Sequence, residues 1–256
     1  MACTISREDI ARVKDFGFLN NKGTDFFNGR VITRNGKITS AQMRDIAEAA
    51  DKFGNGEVVF TARLTVEVRG VHFDHIEPMC EFLKQRGLTT GGTGSRVRPI
   101  VSCKGTTCQY GIYDTFALSE KIHERFYEGY YDVKLPHKFK IATGGCKNNC
   151  AKPDLNDLGI IGTRTVVKGR AGEPAFKVCI GGRWGKKSAK GQPLSKIFTS
   201  EEEVLDVVEK AILFFKENGQ EKERFADMIA RIGFEEVEKQ LLSDDLLERK
   251  EEILNA

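Results

Sequence analysis

Between Glu57 and Arg69 apolar and polar side chains alternate, with Val59 as the one exception. Val58, Phe60, Ala62, Leu64, Val66 and Val68 hold the even positions, and Glu57, Thr61, Arg63, Thr65, Glu67 and Arg69 hold most of the odd ones. That period of two predicts one strand with a face on a core and a face toward solvent or a ligand. Before it, Ser40 reads as the cap of a helix over Ala41–Phe53 that Gly54 and Gly56 end. A second helix is expected from about His75 to Arg86, stopped by Gly87, and a hairpin over Arg30–Ile38. Together these predict a small sheet covered by helices.

LTTGGTGS, from Leu88 to Ser95, reads as a loop and a domain boundary. Beyond it the pattern gives strands at Pro99–Ser102, Lys138–Ala142, Leu158–Val167 and Ala175–Ile180, and a helix from about Asp114 to Tyr127. A Gly/Lys loop follows over Gly181–Gly191. Ser200 and Glu203 form a capping box, after which Val204, Leu205, Val208, Ala211, Ile212 and Phe215 recur at helical period. Such a stripe faces a core. No repeat and no low-complexity tract interrupts the chain.

Length and composition narrow the class. A chain of 256 residues, 40% hydrophobic and 30% charged, can bury a core in one or two domains and is neither disordered nor fibrous. No apolar run is long enough to span a bilayer, and the start MACTISREDI has no apolar signal region, so a soluble, cytoplasmic protein without membrane contact is expected. The formal charge of +3 argues against a nucleic-acid partner. The stretch from Ser200 onward is Glu-rich, which leaves the basic excess in the first two hundred residues and favours a small anionic ligand.

The seven cysteines stand at 3, 80, 103, 108, 146, 150 and 179. An odd number in a chain of this size is a poor disulfide framework. Cys103 and Cys108 are separated by four residues, Cys146 and Cys150 by three, with 37 residues between the pairs. Four thiolates so spaced can hold a cubane iron–sulfur cluster, or a structural zinc, or they can be buried, inert thiols. The loops CKGTTC and TGGCKNNC are rich in Gly, Thr and Asn, whose backbone N–H groups suit anionic sulfur. Cys80 and Cys179 fall inside predicted elements and read as core, and Cys3 says little.

Basic residues add to this. Arg63 and Arg69 share the polar face of the alternating strand, Arg96 and Arg98 precede the first cysteine pair, and Lys138 and Lys140 precede the second. Arg183, Lys186, Lys187 and Lys190 crowd the late loop. One charge-assisted contact is worth about 1.5–3 kcal/mol, so several are needed to hold a polyanion. Their number predicts a pocket for a polycarboxylate together with a small oxyanion.

The segment TGGCKNNCAKPDLNDLGIIG, Thr143–Gly162, resembles the second cysteine signature of the sirohaem and iron–sulfur sulfite and nitrite reductases. FTARLTVEVRG resembles that family's Thr-x-Arg-x-Thr strand, RVRPIVSC its approach to the first cysteine, and LPHKFK its pair of substrate-facing lysines. IGGRWG and ERFADMIARIG resemble its closing strand and C-terminal helix, so the likeness covers about residues 28 to 240. The resemblance implies an α+β fold. Residues 1–26 would be a lead segment, 27–95 a ferredoxin-like half, 96–199 a mixed α/β half carrying sirohaem and a 4Fe-4S cluster, and 200–256 C-terminal helices packed on that core.

By the same resemblance Cys103, Cys108, Cys146 and Cys150 bind the cluster, and Cys150 bridges to the sirohaem iron. Lys138, Lys140, Arg63 and Arg98 face substrate or sirohaem carboxylates. Arg96, Asn149, Arg183, Lys186 and Lys187 complete the cofactor-binding set. The implied reaction is six-electron reduction of sulfite to sulfide, with nitrite or another small oxyanion as the alternative; a non-catalytic electron-transfer or tetrapyrrole-binding protein is the rival from a different class. Three departures from the family stand out. The first cysteine spacing is four where five is usual. Ile32 stands where an arginine usually faces substrate, which leaves Arg30 or Arg34 as its substitute or a different substrate choice. The chain carries one copy of a unit that long assimilatory enzymes carry twice, which implies a homo-oligomer. It also has no extra ferredoxin-type cysteine run, which implies a separate ferredoxin-like or flavoprotein electron donor.

Overall fold

The computed structural model describes residues 4–256. The chain divides into two compact units, Met1–Gly94 and Ser95–Ala256. Cys3 lies outside the described residues.

In the first unit a four-stranded antiparallel sheet has the order β1-β2-β4-β3, built from β1 (Phe18–Asn20), β2 (Phe26–Val31), β3 (Val58–Phe60) and β4 (Val66–His72). Helices α2 (Ser40–Phe53) and α3 (Ile76–Lys84) contribute Ile46, Ala49, Met79 and Leu83 to its core, against Phe27, Val31, Val66, Val68 and Val71 of the sheet. Residues 1–26, read from sequence as a lead segment, contain α1 (Arg7–Asp15) and β1, and Val13 and Phe18 are fully part of this core. The helix cap falls one residue earlier than expected: Thr39 receives the Gln42 N–H at 3.1 Å, and the Gln42 side chain accepts from the Thr39 N–H at 2.9 Å.

The expected single strand over Glu57–Arg69 is a hairpin. Val58 pairs with Val68 and Phe60 with Val66, and Thr61 and Thr65 close the loop through a backbone bond of 2.9 Å. The Thr61 hydroxyl receives the N–H groups of Arg63 and Thr65, and Leu64 takes a left-handed φ of 62°. Such a turn is ordinarily marked by Gly or Asn. Leu64 gives no such mark, so the alternation runs straight through the turn. The even residues still share a face across the two strands, but β3 is the sheet edge and Phe60 stays 67% exposed while Val68 is fully buried. Arg63 therefore sits in the loop and does not share a strand face with Arg69, which is paired with Glu57 at 3.1 Å. Of the Arg30–Ile38 hairpin only the Arg34–Lys37 bridge forms.

The second unit holds a five-stranded sheet in sequence order, β5 (Val101–Ser102), β6 (Ile141–Gly144), β7 (Leu158–Val167), β8 (Arg170–Ile180) and β9 (Gln192–Phe198). The first three are parallel and the last three antiparallel. β9 was not legible in the sequence because Pro193 and polar residues break its pattern; proline is tolerated there because β9 is the edge. Helix α4 (Thr115–Ile122) starts at its Asp114 cap and passes into a π-helical turn, His123–Glu128. Helix α5 (Glu201–Asn218) has the expected Ser200–Glu203 capping box and runs through the core, with Phe215 packed against Phe139 and Phe225 at ring distances of 5.9 and 5.4 Å. Helices α6 (Phe225–Ile232), α7 (Phe234–Leu242), α8 (Asp245–Glu248) and α9 (Lys250–Asn255) complete the unit.

One buried charge ties α5 to its neighbours. Glu209 is 1% exposed and takes bonds from Arg125, from the Tyr130 hydroxyl and from Lys250 at 2.7 Å. Burial pushes its carboxyl upward, but these three partners outweigh it and hold the group below the usual 4.5. A lowered carboxylate pKa contributes stability above the unfolded value, and that contribution is lost as pH falls through the folded one. Glu209→Gln is expected to cost about 1–3 kcal/mol at pH 7. The difference from the parent should shrink on acidification below pH 4.5. Urea unfolding at pH 7 and pH 4 checks both halves of this expectation.

No helix among the described residues is long and apolar enough to cross a membrane.

Candidate redox site

The two cysteine pairs lie where adjacent parallel strands end. Cys103 directly follows β5, Cys146 follows β6 by two residues, and Ser102 is registered on Thr143. The C-terminal ends of parallel strands are where open α/β sheets ordinarily bind ligands. The loops are bonded to each other: Cys103 N–H donates to Thr143 O at 3.1 Å, Ile112 N–H to Gly145 O at 2.9 Å, and Gly145 N–H to Cys103 Sγ at 3.2 Å. Glycine makes that approach possible. A Cβ on Gly145 would lie 2.9 Å from Gly105 Cα, and one on Gly111 would lie 1.9 Å from Gly105 O.

The four-residue spacing closes through a 3-10 turn at Gly105–Thr107, stapled to the start of α4 by Thr106 on Asp114 at 2.6 Å and by Thr115 on Cys103 O at 2.8 Å. In the second loop Asn149 adopts a left-handed φ of 58° and donates to Asp154 at 2.6 Å. Its place is thus inside the loop that carries Cys146 and Cys150. Cys150 is exposed and Cys103, Cys108 and Cys146 are half-buried.

These residues fit an iron–sulfur cluster. Four thiols rise from two bonded loops, one sulfur already accepts a backbone N–H, and the start of a helix adds its positive end. Among the described residues no three His, Cys, Asp or Glu side chains gather closely enough to share one metal ion. Cys179 is buried in β8 and Cys80 half-buried in α3, and burial pushes both thiols up. Both are core side chains, as their pattern predicts.

The cations begin the same two strands. Val97 bridges Phe139 in parallel, Arg98 N–H donates to Phe139 O at 2.8 Å, and Phe139 N–H to Arg96 O at 3.0 Å. Val97 and Phe139 are buried, so Arg96, Arg98, Lys138 and Lys140 belong to the other, half-buried side of this ladder. At strand rise, Arg98 and Cys103 are roughly 16 Å apart along the chain. His137 shows that several charges reach one place. Burial lowers its pKa, and so do Lys138, Arg224, Arg98 and Lys140. Its Nδ1 accepts the Lys138 N–H at 2.9 Å, so a neutral ring carries its proton on Nε2.

Sequence reasoning passed over His137 and Arg224. Arg224 sits on fully buried Asp157 with bonds of 2.9 and 3.0 Å, and Asp157 also receives the Lys140 N–H at 2.9 Å. The Thr143–Gly162 motif that contains Asp157 was visible, but the partner of Asp157 lies 67 residues on.

Other predicted residues fall elsewhere. Arg183 turns to α6 and pairs with Asp227 at 2.8 Å, while Lys186 and Lys187 are exposed in the late loop. Arg96 stacks its guanidinium 4.5 Å from the Tyr131 ring. Arg63 belongs to the first unit, in the β3–β4 turn. There too, Ile32 is buried in the place considered for an arginine, and Arg30 is held by Glu67 at 3.0 Å and by Gly92 O at 3.0 Å.

A two-unit α+β chain with four loop thiols above a parallel ladder defines a redox class. Residues 93–250 match the family described as "Nitrite and sulphite reductase 4Fe-4S domain", and residues 20–86 match the "Nitrite/Sulfite reductase ferredoxin-like half domain". The chain belongs to the nitrite and sulphite reductase family, whose members carry sirohaem and a 4Fe-4S cluster.

The coenzyme F420-dependent sulfite reductase of Methanocaldococcus jannaschii is 30% identical over 59% of this chain and 24% of its own length. An NAD(P)H nitrite reductase of Bacillus subtilis is 28% identical over 80% of this chain and 24% of its own. The fold is that of dissimilatory sulfite reductase I, with a TM-score of 0.75 at 18% identity over 84% of this chain and 69% of that one. The chain spans about half, or less, of the length of the curated relatives it matches.

Proposed function

We propose that this chain is a sirohaem and 4Fe-4S dependent reductase of a small oxyanion, with sulfite as its substrate ahead of nitrite. The observation that carries the reading is the β5–β6 ladder, which has four thiols at one end and Arg98, Lys138 and Lys140 at the other. The relatives divide between the two anions, the sulfite reductase being 30% identical over 59% of this chain and the nitrite reductase 28% over 80%.

Cys103, Cys108, Cys146 and Cys150 would hold the cluster, and the exposed Cys150 is the thiolate best placed to be shared with the sirohaem iron. The bound pair supplies electrons. Arg98 and Arg96 bind anionic groups. Lys138 and Lys140 hold the oxyanion and offer protons from Nζ to the oxygen that leaves. The electrons arrive from a separate ferredoxin-like or flavoprotein donor in the cytoplasm, and a second copy of the chain completes a homo-oligomer.

Anaerobically purified protein should show sirohaem bands with a cluster shoulder, carry five irons in a fully loaded chain by the family's stoichiometry of about four in the cubane and one in the haem, and reduce sulfite faster than nitrite with an artificial donor. Colourless, zinc-loaded protein would overturn the reading. Full cofactor content with faster nitrite turnover would overturn only the choice of anion.

A further inference from the structure

Two buried hydroxyls beside Cys103 have at most each other as partners in the protein. Thr143, on β6, is fully buried, and its carbonyl receives the Cys103 N–H. Tyr113 follows Ile112, whose N–H is bonded to Gly145, the residue that donates to Cys103 Sγ. Both side chains therefore spring from backbone bonded into the paired cysteine loops. The Tyr113 ring is fixed edge-on to Phe176 at 4.8 Å and lies over Gly162, where a Cβ would meet its Cδ1 at 3.1 Å.

The Tyr113 hydroxyl and Thr143 Oγ1 are both sealed from solvent and lie within reach of each other, with no further side-chain or backbone partner. Buried polar groups in folded proteins are nearly always fully paired, so a hydroxyl pair with a proton to spare points to an acceptor supplied by something else. Even turned toward each other, two hydroxyls could use only one of their two protons, and the other would still need an acceptor. The neighbouring charge is the sulfur of Cys103. A phenol is protonated at neutral pH, so Tyr113 has an O–H to donate in a hydrogen bond.

We propose that Tyr113, seconded by Thr143, donates a hydrogen bond to the sulfur at the Cys103 corner of the cluster and thereby raises the cluster's reduction potential. This rests on the reading of Cys103 as a cluster ligand. Reduction adds negative charge to the sulfurs, so a fixed O–H dipole stabilises the reduced form more than the oxidised one. Tyr113 is a positioning and tuning residue, as no proton leaves it.

The test is a potentiometric titration of the cluster in holoprotein, followed by the electron paramagnetic resonance of its reduced form, with iron and acid-labile sulfide measured on each sample. Tyr113→Phe keeps the ring and its contact with Phe176, so cluster content should match the parent. Its reduction constant should fall about tenfold, which is 59 mV for one electron. Thr143→Val should shift the same way by less, and Thr143→Ser, which restores the hydroxyl, should return the parent value. Fully loaded Tyr113→Phe and Thr143→Val proteins with the parent's potential would overturn the inference. If Tyr113→Phe fails to load, the Val and Ser pair at Thr143 decides it, with equal potentials in the two counting against it. A parent protein without a cluster, or a Cys103→Ser variant that keeps a complete one, would instead bring down the underlying ligand assignment, and iron analysis separates that failure from the first.

Discussion

Serine in place of Cys103 or Cys146 is expected to remove the cluster and all anion reduction with it. A serine hydroxyl is not ionised near neutral pH and is a poor ligand for iron, whereas the thiolate is both charged and soft. The effect should be confined to the site. The loops are held by backbone bonds between Cys103 and Thr143 and between Ile112 and Gly145, and by Thr115 on Cys103 O, none of which uses the sulfur. Far-ultraviolet circular dichroism should therefore match the parent while iron and acid-labile sulfide collapse. Cys150→Ser should in addition uncouple any haem from the cluster. Cys179→Ser is the control, since that thiol is buried within β8 and should leave both centres in place. Equal loss of iron in Cys179→Ser and Cys146→Ser would contradict the ligand assignment.

Removing Lys138 or Lys140 is the second large effect expected, a fall of about 10²–10³ in anion reduction for each alanine variant, on the scale of losing one preorganised donor to a developing oxyanion. Cofactor content should stay unchanged, because neither lysine stands on a cysteine loop. An independent readout comes from His137. Its pKa is lowered by burial and by Lys138, Arg224, Arg98 and Lys140, so deleting either lysine should raise it toward 6.5. Cations disfavour the imidazolium, and withdrawing one relaxes that penalty. Proton magnetic resonance of His137 across pH 5–8 follows the shift without any substrate. Variants that keep the full rate for sulfite with an unmoved His137 would make these lysines ordinary surface charges. Asp157 bears on the same prediction, because its bond to the Lys140 N–H fixes the ladder from which the lysine extends.

Several features were readable locally because their causes are local. The Ser200–Glu203 box and the apolar stripe after it specify α5 within a few turns of chain. The strands β5, β6 and β7 and the two thiol loops follow from short apolar runs broken by Gly, Thr and Asn. Other features had no local mark. The Thr61–Thr65 turn uses a left-handed Leu64, so periodicity concealed it. Strand β1 is three residues long, and its Phe18 gains its place only by packing with Phe27 and Val31 in the same core.

The linear chain already defines the chemistry on offer: four thiols in two permissive loops, and cations at alternate positions ahead of each pair. Spacing and side-chain type carry that information, and neither depends on distant residues. Which charges come together is set by the fold. Parallel registry of Val97 on Phe139 sets Arg98 beside Lys138 and Lys140, while Arg183 is drawn off to Asp227 and Arg30 to Glu67. The role of a charge is set by its nearest partner in space, and the partners of Arg183, Arg30 and Asp157 lie 44, 37 and 67 residues away in sequence.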